Sequence, residues 1–198
     1  MSDQLLFNLL VEFFEEDNWD FQWMTGMSVL TLNYSGTNGH WQCYAQAREN
    51  QQQLVFYSVL PANAQSTKRA AIAEFLTRAN YGMVIGNFEM DYDDGEIRYK
   101  TSVDVEGSTV TLPLIRQMVY ANISIMDHYF PAIMRVLYGG ISPQEALSEL
   151  MLEAQQAFDG FVTQVGGACF LGDLDLEAEF DAGLLVAPHD VTDFVVVH

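Results

Sequence analysis

The hydrophobic positions at the start of the chain recur with the period of an α-helix. Between residues 3 and 16, leucines and phenylalanines lie three and four positions apart, while the glutamates fall on the opposite side. This spacing predicts a helix with one apolar face, for which Ser2 or Asp3 is a suitable N-cap. A second helix is predicted over residues 66–80, where Tyr81-Gly82 provides a C-terminal stop.

Between and after these helices the pattern changes to that of β-strands. Alternating and apolar runs, separated by turn-forming residues, predict strands at residues 27–34, 40–47 and 53–60. Their connections are short, which is typical of an antiparallel meander. A hairpin is predicted next, because Asp93-Asp94-Gly95 joins two further runs, at residues 84–92 and 96–105.

The longest apolar segment, residues 112–138, predicts a third helix. Its polar residues Gln117, Ser124, His128 and Arg135 follow one narrow line, and most of the remaining circumference is apolar. Such a helix is either central to its own domain or covered by a second subunit. A fourth helix is predicted from Ser142-Pro143 onward. The element order α-β-β-β-α-β-β-α-α predicts an α+β fold with an antiparallel sheet.

Composition and charge narrow the classes of partner. The 198 residues include 49% hydrophobic residues, which is typical of a globular protein, and 8 Lys+Arg against 27 Asp+Glu give a net charge of −19. This charge argues against binding to nucleic acid or to an anionic membrane surface. A protein partner is expected to present a basic patch, with binding weakened by salt. Without a basic leader or a long uncharged apolar run, the sequence predicts a cytoplasmic protein.

The C-terminal part of the chain has a different composition. Residues 156–198 contain eight acidic residues and no Lys or Arg, so we expect a domain at 1–155 and an acidic extension at 156–198. Within the extension, acidic and apolar residues alternate from Asp173 to Phe180, as in a strand with one apolar face. This strand either covers a sheet edge of its own domain or adds itself to the edge of a partner.

The residues that could support chemistry do not form a recognisable site. His40 and Cys43 lie three positions apart on one strand, so they point to opposite faces, and Cys43 is expected to be a buried small hydrophobe. The acidic run from Asp91 to Glu96 lacks the ligand spacing of a calcium loop and is interpreted as a hairpin tip. The sequence therefore predicts no catalytic residue, no metal ligand and no cofactor.

Two segments resemble a known family. Residues 88–100 are similar to the central hairpin of YbjN-domain proteins, and residues 126–131 with Tyr138-Gly139 are similar to the helix that follows it. The resemblance implies a fold like that of the type III secretion chaperones, which are commonly dimers that bind extended segments of client proteins. YbjN-like proteins are named as sensory-transduction regulators without an established chemical activity, so the resemblance implies no catalytic residues.

The sequence thus predicts a non-enzymatic protein-interaction module, a chaperone-like protein or regulatory adaptor that binds a segment of a partner protein and forms a homodimer. Candidate residues for the partner or dimer interface come from the third helix and the acidic extension: Asn122, Met126, Tyr129, Ile133, Met134, Leu174, Leu176 and Phe180. For Asn122, a structural hydrogen bond to a backbone carbonyl of the sheet is the favoured alternative to a role at a dimer seam.

The alternative function is a small-molecule or metal sensor with a ligand between sheet and helix. Four aromatic residues could line such a pocket, although an aromatic core is the favoured explanation for them. They are Trp19, Trp23, Trp41 and Tyr57.

Overall fold

The computed structural model describes residues 4–168 of the chain, with side chains described as far as residue 156. The helices are α1 (Leu5–Glu16), α2 (Arg69–Asn80), α3 (Leu112–Tyr138) and α4 (Pro143–Ala168). The strands are β1 (Phe21–Trp23), β2 (Val29–Ser35), β3 (His40–Arg48), β4 (Gln53–Val59), β5 (Asn87–Met90) and β6 (Ile97–Asp104).

The six strands form one antiparallel sheet in the order β1-β2-β3-β4-β6-β5. The predicted α+β class is confirmed, and each helix and strand predicted within the described residues is present. The short strand β1 is an addition that the sequence analysis did not predict. It forms one of the two edges of the sheet.

One face of the sheet is covered by α1, α2 and α3, and the core lies between the two layers. Strand residues on this face alternate with more exposed ones, as expected for a sheet covered on one side. The buried strand residues include Leu30, Leu32, Cys43, Ala45, Phe56, Tyr99 and Thr101. In the described part of the chain, no helix covers the opposite face, which we call the open face. It carries Tyr44, Tyr57, Arg98 and Lys100.

The first turn of α1 is capped from a distant part of the sequence. Glu49 lies in a 3₁₀ turn (Glu49–Gln51) between β3 and β4, and its carboxylate accepts hydrogen bonds from the N–H groups of Leu6 (3.2 Å) and Phe7 (2.8 Å). The N-cap position is held by Gln4, whose side chain makes no capping bond. The predicted cap residues, Ser2 and Asp3, lie outside the described residues. Glu49 therefore satisfies backbone donors that would otherwise be unpaired and fixes α1 to the sheet.

Helix α3 crosses the centre of the sheet, and α4 packs on α2 and α3. Thr111 caps α3 by accepting a hydrogen bond from Leu114 N (3.4 Å). Ala146 and Leu150 are the buried residues of α4 within its described part. The predicted boundary after residue 155 falls inside α4, which continues to Ala168. Among the described residues, none of the helices is both long and apolar enough to cross a bilayer.

Candidate functional site

The two edge strands of the sheet differ in whether their outward peptide groups have partners. At β1, the hydrogen bond from Met24 N to Val29 O (3.0 Å) fixes the alternation of the ladder. In an antiparallel pair, successive residues direct their peptide groups alternately towards and away from the neighbouring strand. Phe21 and Trp23 lie an odd number of positions from Met24, so their N–H and C=O groups point away from β2. Within the described residues, no side chain or neighbouring loop is hydrogen-bonded to these groups. The β1 edge can therefore accept a further strand.

The side chains around the β1 edge are apolar at one end and acidic at the other. Trp23 is 60% exposed, with its ring edge against Phe7 at a centroid distance of 5.1 Å, and Met27, in the turn that follows β1, is also exposed. At the opposite end, Asp20 immediately precedes β1 and is also exposed. Exposed Glu15 and Glu16 end α1 just before it. We call β1 with these flanking residues the β1 edge site.

The β5 edge is closed by a side chain. Asn80, the last residue of α2, accepts a hydrogen bond from Phe88 N through Oδ1 (2.8 Å) and donates one to Phe88 O through Nδ2 (2.9 Å). These are the outward peptide groups of β5 at that position. A partner strand would need the same two groups, so the two edges of the sheet are not equivalent.

The open face carries a cluster of charges near the β5 edge. Glu89 lies between Lys100 and Arg98 and forms an ion pair with each. Partial burial of Glu89 would raise the pKa of its carboxyl, but the hydrogen bonds from Lys100 and Arg98 outweigh burial and lower it. The Arg98 guanidinium also lies over the ring of Tyr57, 4.6 Å from its centroid. Arg98 also lies 3.8 Å from the carboxylate of Glu96, so both cations have acidic partners within the chain.

Five residues of α3 were predicted to lie at an interface. Four of them are buried in the core of the subunit. Asn122, Met126 and Ile133 have no exposed surface and Tyr129 has 3%. The reason is that β4 and β6 of the same chain cover the apolar surface of α3. A dimer seam at these positions has no surface to use, which corrects that prediction. Met134 is half-buried, while Leu174, Leu176 and Phe180 lie outside the described residues.

Asn122 makes the link to the sheet that the sequence analysis favoured. Its Nδ2 donates to the carbonyls of Phe56 (3.1 Å) and Tyr99 (3.2 Å) and lies 3.2 Å from Thr101 Oγ1. Thr101 in turn donates to the carbonyl of Met118 on α3 (3.1 Å). This buried network joins α3 to two central strands, so Asn122 is a structural residue.

Cys43 and the aspartates of the hairpin, which were considered as a nucleophile and as metal ligands, have structural roles. Cys43 is buried, and burial raises the pKa of its thiol to about 12, so the group is not an activated nucleophile. His40 is exposed on the other face of β3, as predicted. In the hairpin, Asp91 and Asp94 accept the N–H groups of Asp93 and Glu96, each at 2.8 Å, which is the bonding of a turn. The described residues contain no group of His, Cys, Asp and Glu placed to hold a metal ion.

The four aromatic residues proposed for a ligand pocket do not share one. Trp19 stacks on Tyr34, and Trp41 contacts both Tyr34 and Phe130 within the core. Trp23 lies at the β1 edge, and Tyr57 is on the open face. A cavity of about 450 Å³ lies elsewhere, between the start of α1 and the loop after β6.

The β1 edge site was not predicted from the sequence because β1 itself was not predicted. The signal was present, since residues 19–23 read Trp-Asp-Phe-Gln-Trp and alternate apolar with polar. Such alternation predicts a half-buried strand. At three residues, however, β1 is shorter than most strands. Its outward peptide groups also become apparent only once the pairing with β2 is known.

The chain matches one protein family and is similar to two solved structures. Residues 7–135 match a family model described as "Putative bacterial sensory transduction regulator". A similar solved structure is the crystal structure of YbjN from E. coli, described as "a putative transcription regulator", with 14% identity and a TM-score of 0.45. That match covers 76% of this chain and 92% of the other.

A second similar structure is that of the HopA1-SchA chaperone-effector complex, with 15% identity and a TM-score of 0.41. The match covers 64% of this chain and 93% of that one. No curated protein matches the sequence.

Proposed function

Because the chain belongs to the YbjN family, whose model spans residues 7–135, we propose that it is a regulatory protein-interaction module that binds an extended segment of a partner protein. The observation that carries the proposal is the β1 edge, where the peptide groups of Phe21 and Trp23 point outward and the side chain of Trp23 is exposed. The segment adds to the sheet as a further antiparallel or parallel strand beside β1.

The size of β1 determines how the segment is recognised. Three residues extend over about 10 Å, so main-chain hydrogen bonds can read only three or four residues of the partner. Specificity then rests on side chains, since alternate residues of an added strand face the same side of the sheet. Trp23 provides an apolar contact for one such side chain. Tryptophan is among the residues that most often dominate the binding energy of an interface.

Charge defines the partner more closely. Asp20, Glu15 and Glu16 lie at the start of β1, and the whole chain has a net charge of −19. A second copy or the acidic extension of this chain would bring like charge to the site. The complementary occupant is a segment of another protein that carries both Lys or Arg and apolar residues. Its association should weaken with increasing salt, because exposed charges are screened.

The acidic extension is part of the same proposal. A partner with basic residues also complements the eight acids of residues 156–198, so the extension contributes long-range attraction even without a fixed contact. Its alternating apolar residues Leu174, Leu176 and Phe180 remain candidates for contact with the partner. Homodimerisation also remains a prediction, and any seam must use surface outside the buried part of α3. Size-exclusion chromatography with light scattering tests it directly.

A binding role without catalysis agrees with the chemistry of the described residues. Cys43 is buried and its thiol has a raised pKa, and the carboxylates of Asp91 and Asp94 accept hydrogen bonds within the hairpin turn. The description of the family names a regulator and no reaction. We therefore assign a role as adaptor or chaperone-like binder rather than as an enzyme.

The experiment is affinity capture from native lysate at low salt with the full-length chain as bait. Trp23→Ala removes the apolar contact. Trp23→Pro also removes the outward N–H while preserving the hydrogen bonds of β1 to β2, because the N–H of Trp23 points away from β2. Tyr81→Ala is the matched control, since Tyr81 is an exposed aromatic near the opposite edge of the sheet.

The proposal predicts one protein captured in stoichiometric amount by the wild-type chain and by Tyr81→Ala. Trp23→Ala should reduce that capture and Trp23→Pro should abolish it. Equal capture by all four baits would place recognition elsewhere, and a chain truncated after Ala168 then shows whether the extension carries it. A wild-type bait that captures nothing at low salt would refute the binding role itself.

A further inference from the structure

The β5 edge carries an unusual contact between a helix and a strand. The hydrogen bond from Asp91 N to Glu96 O (2.9 Å) fixes the alternation of the β5–β6 ladder, so the peptide groups of Phe88 and Met90 point away from β6. Both peptide groups of Phe88 are nevertheless paired, because Oδ1 and Nδ2 of Asn80 meet them at 2.8 and 2.9 Å.

The carboxamide of Asn80 has the same donor and acceptor groups as a peptide bond. It therefore occupies the position that a residue of a neighbouring strand would take, and it forms the same pair of hydrogen bonds. Glutamine is the other side chain that ends in a carboxamide. The position of Asn80 is fixed because it ends α2, whose buried residues Phe75 and Leu76 anchor the helix on the core.

The surroundings of β5 would favour self-association if this edge were open. Val84 is 72% exposed and Ile85 is 47% exposed before the strand, and exposed Tyr92 follows it. Residues 81–90 contain a single charged side chain, Glu89, and three aspartates, Asp91, Asp93 and Asp94, follow in the hairpin turn. Short segments with few charges and high β-propensity pair readily with identical segments when their edge is unprotected.

We propose that Asn80 closes the β5 edge against pairing with β5 of a second copy of the chain. The occupant excluded is a second copy because a two-fold axis would place two identical β5 strands side by side, and Glu89, the one charged residue of β5, is already paired with Lys100 and Arg98 of its own chain. One asparagine thus leaves β1 as the edge available for strand addition. The inference concerns β5 and does not depend on the proposed function of the β1 edge.

The test compares Asn80→Ala with the wild-type chain by light scattering across a wide range of concentrations. Arg78→Ala is the matched control, because Arg78 is on the same helix, exposed and paired only with Glu74 in the described part of the chain. The expected result is a mass for Asn80→Ala that rises with concentration towards twice that of the wild-type species, with no change for Arg78→Ala. A folded Asn80→Ala with the wild-type mass at every concentration would overturn the proposal.

Amide hydrogen exchange on the wild-type chain keeps the proposal testable even if Asn80→Ala fails to fold. Phe88 and Met90 both direct their N–H groups outward, but only that of Phe88 meets Asn80. The amide of Phe88 should exchange as slowly as that of Glu89, which points towards β6, while that of Met90 should exchange much faster. Equal, fast exchange at Phe88 and Met90 would mean that Asn80 does not close the edge.

Discussion

Asp127 on α3 and Asn38 in the turn between β2 and β3 are joined through both main chain and side chain. The backbone N–H of Asn38 donates to Asp127 Oδ1 (2.8 Å), and Asn38 Nδ2 donates to the Asp127 carbonyl (3.1 Å). Thr37 N adds a third bond, to Asp127 Oδ2 (3.0 Å). The aspartate of the segment that resembles the family motif therefore holds a hairpin turn against the central helix.

Removing the carboxylate of Asp127 should loosen this turn. Asp127→Ala leaves the N–H groups of Thr37 and Asn38 without their acceptor, and we expect a loss of about 1–3 kcal/mol in the free energy of unfolding. Urea denaturation followed by tryptophan fluorescence measures it. Asp93→Ala, an exposed acid in another turn, serves as control and should change stability by less than about 0.5 kcal/mol. Equal midpoints for the two variants would show that the turn does not depend on Asp127.

The same turn contains a glycine that cannot accept a side chain without movement. A Cβ at Gly39 would lie 2.6 Å from Phe130 Cζ, whereas a Cβ at Gly82 would have no atom within 4 Å. Gly39→Ala should therefore destabilise the protein by about 1–3 kcal/mol through overpacking. Gly82→Ala should be neutral or slightly stabilising, because it reduces the entropy of the unfolded chain. Thermal unfolding of both variants is the measurement, and an unchanged midpoint for Gly39→Ala would contradict the close packing against Phe130.

Asn122 should behave as a residue of the core rather than of an interface. Asn122→Ala removes the donor shared by the carbonyls of Phe56 and Tyr99, at a cost of about 1–3 kcal/mol. Asn122→Asp should cost more, because it directs a buried carboxylate at the same carbonyls. The mass measured by light scattering should not change for the folded fraction. A change in mass with unaltered stability would instead assign Asn122 to a subunit seam, and Ser124→Ala on the same helix is the control.

The features that could be predicted from the sequence are local ones. The Asp93-Asp94-Gly95 hairpin and the caps at Thr111 and Ser142 depend on neighbours within a few residues, and they are present. The contacts that could not be predicted join positions that are distant in the sequence. Glu49 caps α1 by accepting a hydrogen bond from Phe7, 42 positions away, and Asp127 accepts one from Asn38, 89 positions away. The apolar α3 illustrates the limit, because hydrophobicity predicts that a helix is covered but cannot say whether its own sheet or a second subunit covers it.

His128 should make stability depend on pH near neutrality. It is half-buried on α3, and burial lowers the pKa of its imidazole, an effect only partly opposed by the charges of Glu153 and Asp127. Between the lowered pKa of the folded state and the ordinary value near 6.5 in the unfolded state, the unfolded chain binds more protons, so stability should rise as pH increases through this window.

His128→Gln should lack this part of the pH dependence, while His40→Gln, at an exposed histidine, should retain it. Urea midpoints at several pH values between 5 and 8 provide the measurement. The difference between the wild-type chain and His128→Gln isolates the imidazole from the many carboxylates that also titrate at the acidic end. If this difference stays constant with pH, the folded and unfolded states bind the proton at His128 equally, and the burial of the ring has no electrostatic consequence.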